Sequence, residues 1–261
     1  MNRPLLLRIL PPRLRMSAWA RLYSRTNPRW HGLYSRAPLL FAPQVAMDLV
    51  PGDIISASIA FTGVYELSQS RRIVEIARRG GTLIDIGANL GYFTLLWTAS
   101  SPGNRCFAFE ASPRVLKLLI RNIESNGLES QVRLFPNAAG REAGSFNFDM
   151  GPEEQTGWGG LTTSGDGVPV DVVRCDEVVH DDIDLLKIDV EGADTFALMG
   201  CERLLRERRI KHIWFEQNKP RMRKLGIEEW EAETFLKSVG YKAWPESDPS
   251  RGIVEWAAST A

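Results

Sequence analysis

Cysteine, histidine and early acidic residues are what this chain of 261 residues has least of. Its three cysteines, Cys106, Cys175 and Cys201, form no C-x-x-C pair. That excludes a disulfide-stapled scaffold and a cysteine zinc site, and fits a reducing, cytoplasmic setting. The three histidines, His31, His180 and His212, show no H-E-x-x-H or other ligand spacing, so no metal is expected. His212 opens its predicted strand and is read as packing or surface; His180, Asp181, Asp182 and Asp184 are read as a solvated turn, with a weak cation site as the alternative. No apolar run approaches the roughly 18 residues of a membrane span, because Arg8, Pro11 and Pro12 interrupt the best candidate. That run is also too short for a signal peptide and lacks a clean cleavage site. Lys plus Arg and Asp plus Glu number 32 each, so the basic footprint of a nucleic-acid binder is missing.

Acid is absent in one place above all. No Asp or Glu precedes Asp48, while eight arginines do: Arg3, Arg8, Arg13, Arg15, Arg21, Arg25, Arg29 and Arg36. Two readings follow. The segment is a solvated basic arm, or Leu5, Leu6, Leu7, Ile9, Leu10 and Leu14 give it an apolar face for peripheral contact with a membrane. Residues 1–65 are read as an N-terminal extension packing on or flanking the core, and residues 66–261 as one catalytic domain.

What is present is an α/β pattern. Hydrophobic residues make up 44% of the chain and charged residues 25%, enough to bury a sizeable core. From residue 82, strand-like runs alternate with helical stripes. "TLIDIG", "RCFAFEA", "QVRLFPNAAG", "DLLKIDV" and "IKHIWFEQ" read as strands. "YFTLLWTAS", "SPRVLKLLIRNIESNG", "ADTFALMGCERLLRERR" and "EEWEAETFLKSVG" read as helices. The second helix has Ser112 as N-cap, Pro113 at its first position, Gly127 past its end and a stripe of Leu116, Leu119, Ile120 and Ile123. Such alternation predicts right-handed crossovers and a mostly parallel sheet. "YKAWPE" and "GIVEWAA", with no helix between them, predict an antiparallel hairpin at one edge. Residues 144–175 break the pattern, with short strands at "SFNFDM" and "VPVDVVRC" around the long loop "GPEEQTGWGGLTTSGDG".

Ligands of open α/β sheets bind beyond the carboxyl ends of the strands. Those ends carry Asp85 and the Gly87–Gly91 turn, Glu110, Asn137, Asp189 with Glu191, and Glu216 with Gln217. Buried carboxylates cost several kcal/mol unless paired, so five polar strand ends on apolar strands point to a site. The turn is Asp-x-Gly-x-Asn-x-Gly, not the G-x-G-x-x-G of a dinucleotide fold. Asp85 would repel a pyrophosphate and welcome a cation, which suits the sulfonium and ammonium of S-adenosylmethionine. Glu110 is placed for the ribose hydroxyls and Asn137 for the adenine edge. A nicotinamide-dependent oxidoreductase is the alternative enzyme class. A catalytically silent module binding S-adenosylmethionine or a glycan is the non-enzymatic one.

Three stretches carry a resemblance: "FTGVYELSQSRRIVEIARRGGTLIDIGANLGYFTL", "NAAG" and above all "DLLKIDVEGADTFALMGCERLL". Over roughly residues 50 to 245 the chain resembles the FkbM family of S-adenosylmethionine-dependent methyltransferases. The resemblance implies a Rossmann-like class I methyltransferase fold, with seven strands and one antiparallel edge strand, and methyl transfer to a hydroxyl of a sugar, glycan or natural product. By position, Asp85, Gly87, Asn89 and Gly91 match the cofactor motif, Glu110 the ribose acid, and Phe61, Gly63, Tyr65 and Glu66 the upstream F-x-G-x-Y-E element. Asp194 departs from the family's more usual glutamate.

Methyl transfer to a hydroxyl needs an aligned acceptor oxygen and a base. Asp189 is the expected base or positioning residue and Glu191 the next, sharing an extended face with Lys187. The bland alternative is a structural network in which Lys187 neutralises carboxylates around Glu216. The loop Glu153–Gly167 is the expected acceptor lid, with a flexible surface insertion as the alternative; Trp158 and Thr162, and Glu216 at a strand end, are the expected acceptor-binding residues. The acceptor is expected to be a small molecule or glycan, not a nucleic acid.

Overall fold

The computed structural model describes residues 2–243 and 253–258. Seven strands form its central sheet: β1 Thr82–Ile86, β2 Arg105–Phe109, β3 Val132–Phe135, β4 Ile183–Ile188, β5 Ile210–Glu216, β6 Tyr241–Ala243 and β7 Ile253–Ala258. Their order is β6-β7-β5-β4-β1-β2-β3. β1 to β5 pair in parallel, and β7 runs antiparallel to both β5 and β6. The sheet is therefore mixed. The terminal hairpin lies at one edge, but its antiparallel member is the inner strand and β6 is outermost, which corrects the expected antiparallel edge strand. Residues 244–246 and 252 of the two expected strands lie outside the described residues.

The central strands are largely apolar because both their faces are covered, and the buried charges inside β1 and β4, Asp85 and Lys187, pair with each other. Leu83 and Leu185 enter the core on one face with Trp97 and Ile73, whereas Ile84, Ile86, Leu186 and Ile188 enter the other with Leu204 and Phe215. Alternation of side chains along each strand produces this division.

Residues 5–62 are built into the first face. Leu7, Leu33, Tyr34, Met47 and Phe61 join the cluster that holds Leu83, and Phe61 contacts the rings of Trp19, Tyr23, Trp30 and Tyr34. Arg15 is buried and donates to the Thr62 carbonyl at 2.9 Å, while Arg3 donates to the Ala60 and Ile59 carbonyls at 2.9 and 3.1 Å. These carbonyls lie in the last turn of the helix Ile54–Thr62, where Ile59 also accepts the Gly63 N–H and where the helix dipole favours a cation. The solvated-arm reading is thus replaced by a docked segment.

A second sheet, ordered Ala138–Ala139, Val168–Val173, Gly144–Asp149, Gly160–Thr162, sits after β3. It corrects two expectations. The strand expected over 131–140 is split at Pro136–Asn137 between the two sheets, and the loop expected over 151–167 contains a strand. The helix expected over 193–209 is likewise two, Asp194–Met199 and Glu202–Arg206, parted by Gly200, a poor helix former. In the helix Pro113–Glu124 the buried positions are Val115, Leu119, Asn122 and Ile123, with Ile120 exposed. Among the described residues no helix is long and apolar enough to cross a membrane.

Candidate functional site

A cavity of about 250 Å³ opens at the carboxyl ends of the central strands. Its floor is the turn after β1. Gly87 has φ +78°, and a Cβ there would lie 1.9 Å from the Asp189 carbonyl oxygen, so no side chain fits. Its N–H donates to the Phe109 carbonyl at 2.9 Å, tying the turn to the end of β2. Asn89, at φ +50°, donates its N–H to Glu110 Oε2 at 2.7 Å, and its own Oδ1 is buried with no partner. Glu110 Oε1 accepts the Ser112 N–H at 2.7 Å. Burial pushes the Glu110 carboxyl above its usual range, against the pull of these two donors.

The opposite end of the cavity is acidic. Glu66, Asp189, Glu191 and Glu216 converge there, and Glu66 and Glu191 both have left-handed backbone, at φ 45° and 55°. Non-glycine residues hold that conformation uncommonly, and it gathers at functional sites. Burial, then the Asp189 charge, raises the Glu66 carboxyl to about 7. Burial with the charges of Asp189 and Glu191 raises Glu216 to about 7. Glu191 is also raised, chiefly by burial. It accepts from Asn218 Nδ2 at 2.8 Å and pairs with Arg221 at 3.7 Å. Behind them Asp194, buried and accepting from the Gly192 and Glu216 N–H groups, is raised to about 8 by burial and then by Asp189.

Lys187 stands beneath this cluster. It donates to the Gly87 carbonyl at 3.0 Å and lies 3.3 Å from Asp85 Oδ1 and 3.7 Å from Asp189 Oδ2. Burial alone would lower its ammonium, but Asp85, Asp189 and Glu66 together raise it above the usual lysine value.

Of the residues expected to hold a cofactor, Gly87, Asn89, Glu110, Asn137 and Glu66 border the cavity; Asp85 and Gly91 do not. Asp85 is fully buried behind the turn, paired with Lys187 and accepting from Thr94 Oγ1 at 2.7 Å. Its charge is answered within the protein, which corrects its reading as a direct ligand for a cation. Gly91, at φ +91°, opens the helix Tyr92–Ser100 against Leu119. Asp189 and Glu191 border the cavity, whereas Lys187 acts from behind it. Trp158 and Glu216 border it, but Thr162 points elsewhere: its Oγ1 accepts the Ser164 N–H, and Leu161 takes the lining position.

Several lining or fastening residues are not singled out by the sequence reading. Asp53, fully buried, caps its helix by accepting the Ser56 N–H at 2.6 Å and takes the Thr156 N–H at 3.0 Å. Arg114 donates to the Gln155 carbonyl at 3.2 Å and to that of Met150. Arg221, from the unexpected helix Lys219–Lys224, donates to the Trp158 carbonyl at 2.6 Å. The stretch 150–160 is thereby fastened over the cavity. The Pro-Gly-Asp sequence before an apolar run was the available cue for Asp53.

The lining contains five carboxylates, Glu66, Glu110, Asp189, Glu191 and Glu216, and among the described residues no lysine, arginine or histidine. Such a cavity attracts a cation-bearing ligand and repels phosphates. His212 lies in β5 opposite Leu185 and Ala257, and His180 Nδ1 is 3.1 Å from Arg203 Nη2. Among the described residues no three His, Cys, Asp or Glu are grouped to hold a metal.

Comparison with known proteins gives a consistent result. The profile described as the methyltransferase FkbM domain matches residues 85–243. Methyltransferase sdnD of Sordaria araneosa is 27% identical over 217 residues, covering 67% of this chain and 76% of that protein. The crystal structure of methyltransferase FkbM from Methylobacillus flagellatus KT has a TM-score of 0.50 at 15% identity, covering 88% of this chain. This chain spans 58% of the length of that one, and their likeness is one of fold.

Proposed function

The chain belongs to the FkbM methyltransferase family, and from that premise we propose that it uses S-adenosylmethionine to methylate a hydroxyl of a sugar, glycan or natural-product acceptor. One observation carries the choice of cofactor: among the described residues the cavity lining has five carboxylates and no cation. A nicotinamide dinucleotide would bring two phosphates to that surface with nothing to neutralise them. Asn89 Oδ1, buried and unpartnered, suits an ammonium donor. Glu110, held by two N–H groups and retaining lone pairs, suits the ribose hydroxyls. Asn137 borders the cavity beside the apolar wall of Phe109 and Ala138, where the adenine would lie. When bound, the cofactor supplies an electrophilic methyl carbon on a sulfonium.

The chain's own groups do the rest. Trp158 and the fastened stretch around it bring the acceptor in and keep water out. We assign the base role to Glu216, working with Asp189. With its carboxyl at about 7, Glu216 suits proton removal near neutral pH, and the neighbouring Asp189 charge supports proton uptake there. Lys187 fixes Asp189 from behind. The test is transfer of tritiated methyl from S-adenosylmethionine to a panel of polyols, glycosides and amines. Label recovered in an ether of a hydroxyl acceptor supports the reading. Label only on amines would remove the oxygen assignment, and cofactor binding without turnover on any acceptor would favour the silent module.

A further inference from the structure

We propose that the two N-terminal helices seat the enzyme on an anionic membrane surface. Leu5–Ile9 and Pro12–Leu22 dock through Leu7, Arg15 and the partly buried Trp19 and Ala18. Residues two positions from an inward one project away from the core on a helix. So Leu5 and Ile9 flank Leu7 outward, and Arg13 and Ser17 flank Arg15. Leu5, Ile9, Leu14 and Leu22 are 68%, 69%, 56% and 63% exposed. Together with Leu6, they are five of the eleven exposed large apolar residues among those described. Interleaved with them are Arg8, Arg13 and Arg21, exposed and, among the described residues, with no carboxylate within ion-pair distance. Apolar side chains among arginines, with no acid, match the interface of an anionic bilayer.

Charge complementarity selects this occupant. A second copy of the chain would bring a second set of arginines against the first, with no acid before Asp48 to answer them. A nucleic acid would satisfy the arginines but would gain nothing from the exposed leucines. The seat is also positioned. Arg3 and Arg15 bind the segment to the last carbonyls of the helix Ile54–Thr62, and the first residues of that helix, Ile54 and Ile55, line the cavity. The cavity is therefore held in a fixed relation to the membrane, whichever cofactor it takes.

The test is cosedimentation of the full chain with vesicles of phosphatidylcholine alone or of phosphatidylcholine with phosphatidylglycerol, at low and high salt. Binding to the anionic vesicles only, weakened by salt, is expected. Arg8→Gln/Arg13→Gln/Arg21→Gln should lower partitioning on the order of 100-fold, at roughly fivefold per arginine. Leu5→Ser/Ile9→Ser should also release the protein, with an unchanged unfolding transition in both variants. No binding to anionic vesicles, equal binding to neutral ones, or indifference to either variant would overturn the proposal. So would light scattering showing that the leucine variant dissociates an oligomer.

Discussion

Lys187→Met is the most informative single perturbation, because it separates the architecture of the site from its chemistry. Lys187 and Asp85 face each other in register across β4 and β1, 3.3 Å apart, and are 7% and 0% exposed. Removing one partner of a buried pair leaves an uncompensated charge and costs about 3–5 kcal/mol. Loss of the hydrogen bond to the Gly87 carbonyl adds about 1 kcal/mol. Against a typical stability of about 5–15 kcal/mol, the variant should be close to unfolding. The double variant Asp85→Asn/Lys187→Met removes both charges and leaves an amide for Thr94, so it should regain most of the loss. Because the Lys187 ammonium is raised in the fold, its contribution is present throughout the pH range below about 10.4 and is lost only above it. Urea unfolding at neutral pH measures all three proteins. The double variant should remain poor in methyl transfer, since Asp189 has lost its fixing partner. A single-variant cost below about 1 kcal/mol, or a double variant no more stable than the single, would refute the reasoning.

Three further outcomes are expected. Glu66 and Glu216, raised to about 7 from an ordinary 4.5, hold protons in the fold that the unfolded chain has released. Stability should therefore fall as pH rises from about 4.5 to 7 and then level, while S-adenosylmethionine binding tightens over pH 6–8; binding that is flat with pH would contradict this, and Glu216→Gln should flatten part of it. Glu110→Gln gives up charge-assisted acceptance and should weaken cofactor binding by about 10- to 100-fold, measured by calorimetry; unaltered affinity would remove Glu110 from the ribose. Trp158→Ala, and Arg221→Met, which frees the Trp158 carbonyl and Glu191, should raise the acceptor KM with little change in cofactor affinity; equal loss of both would sink the lid assignment.

The parts of this site that the sequence discloses are those set by local chemistry. β1 and β4 declare themselves by apolar runs, and the turn after β1 by its glycines. Glu110 and Asp189 stand out as acids at strand ends. What escapes it is tertiary. Asp85 and Lys187 are 102 residues apart in sequence and meet only because β1 and β4 are neighbours, so the acid that looked like a cofactor ligand is a counter-ion. Gly160–Thr162 hides as a strand in a Gly- and Thr-rich stretch, being held by pairing with Asn147–Asp149. Lys219–Lys224 is short and has no apolar stripe, yet it delivers Arg221 to Trp158. The N-terminal arginines read as solvated because no acid precedes Asp48 in the sequence; Arg3, Arg15 and Arg36 instead satisfy backbone carbonyls.

The central claim is that the cavity takes S-adenosylmethionine, and calorimetric titration with S-adenosylmethionine, S-adenosylhomocysteine and NAD tests it directly, with Glu110→Ala alongside. Binding of the first two, weakened by loss of Glu110 and absent for NAD, is the expected result. Binding of NAD with neither of the others would contradict the account at its root.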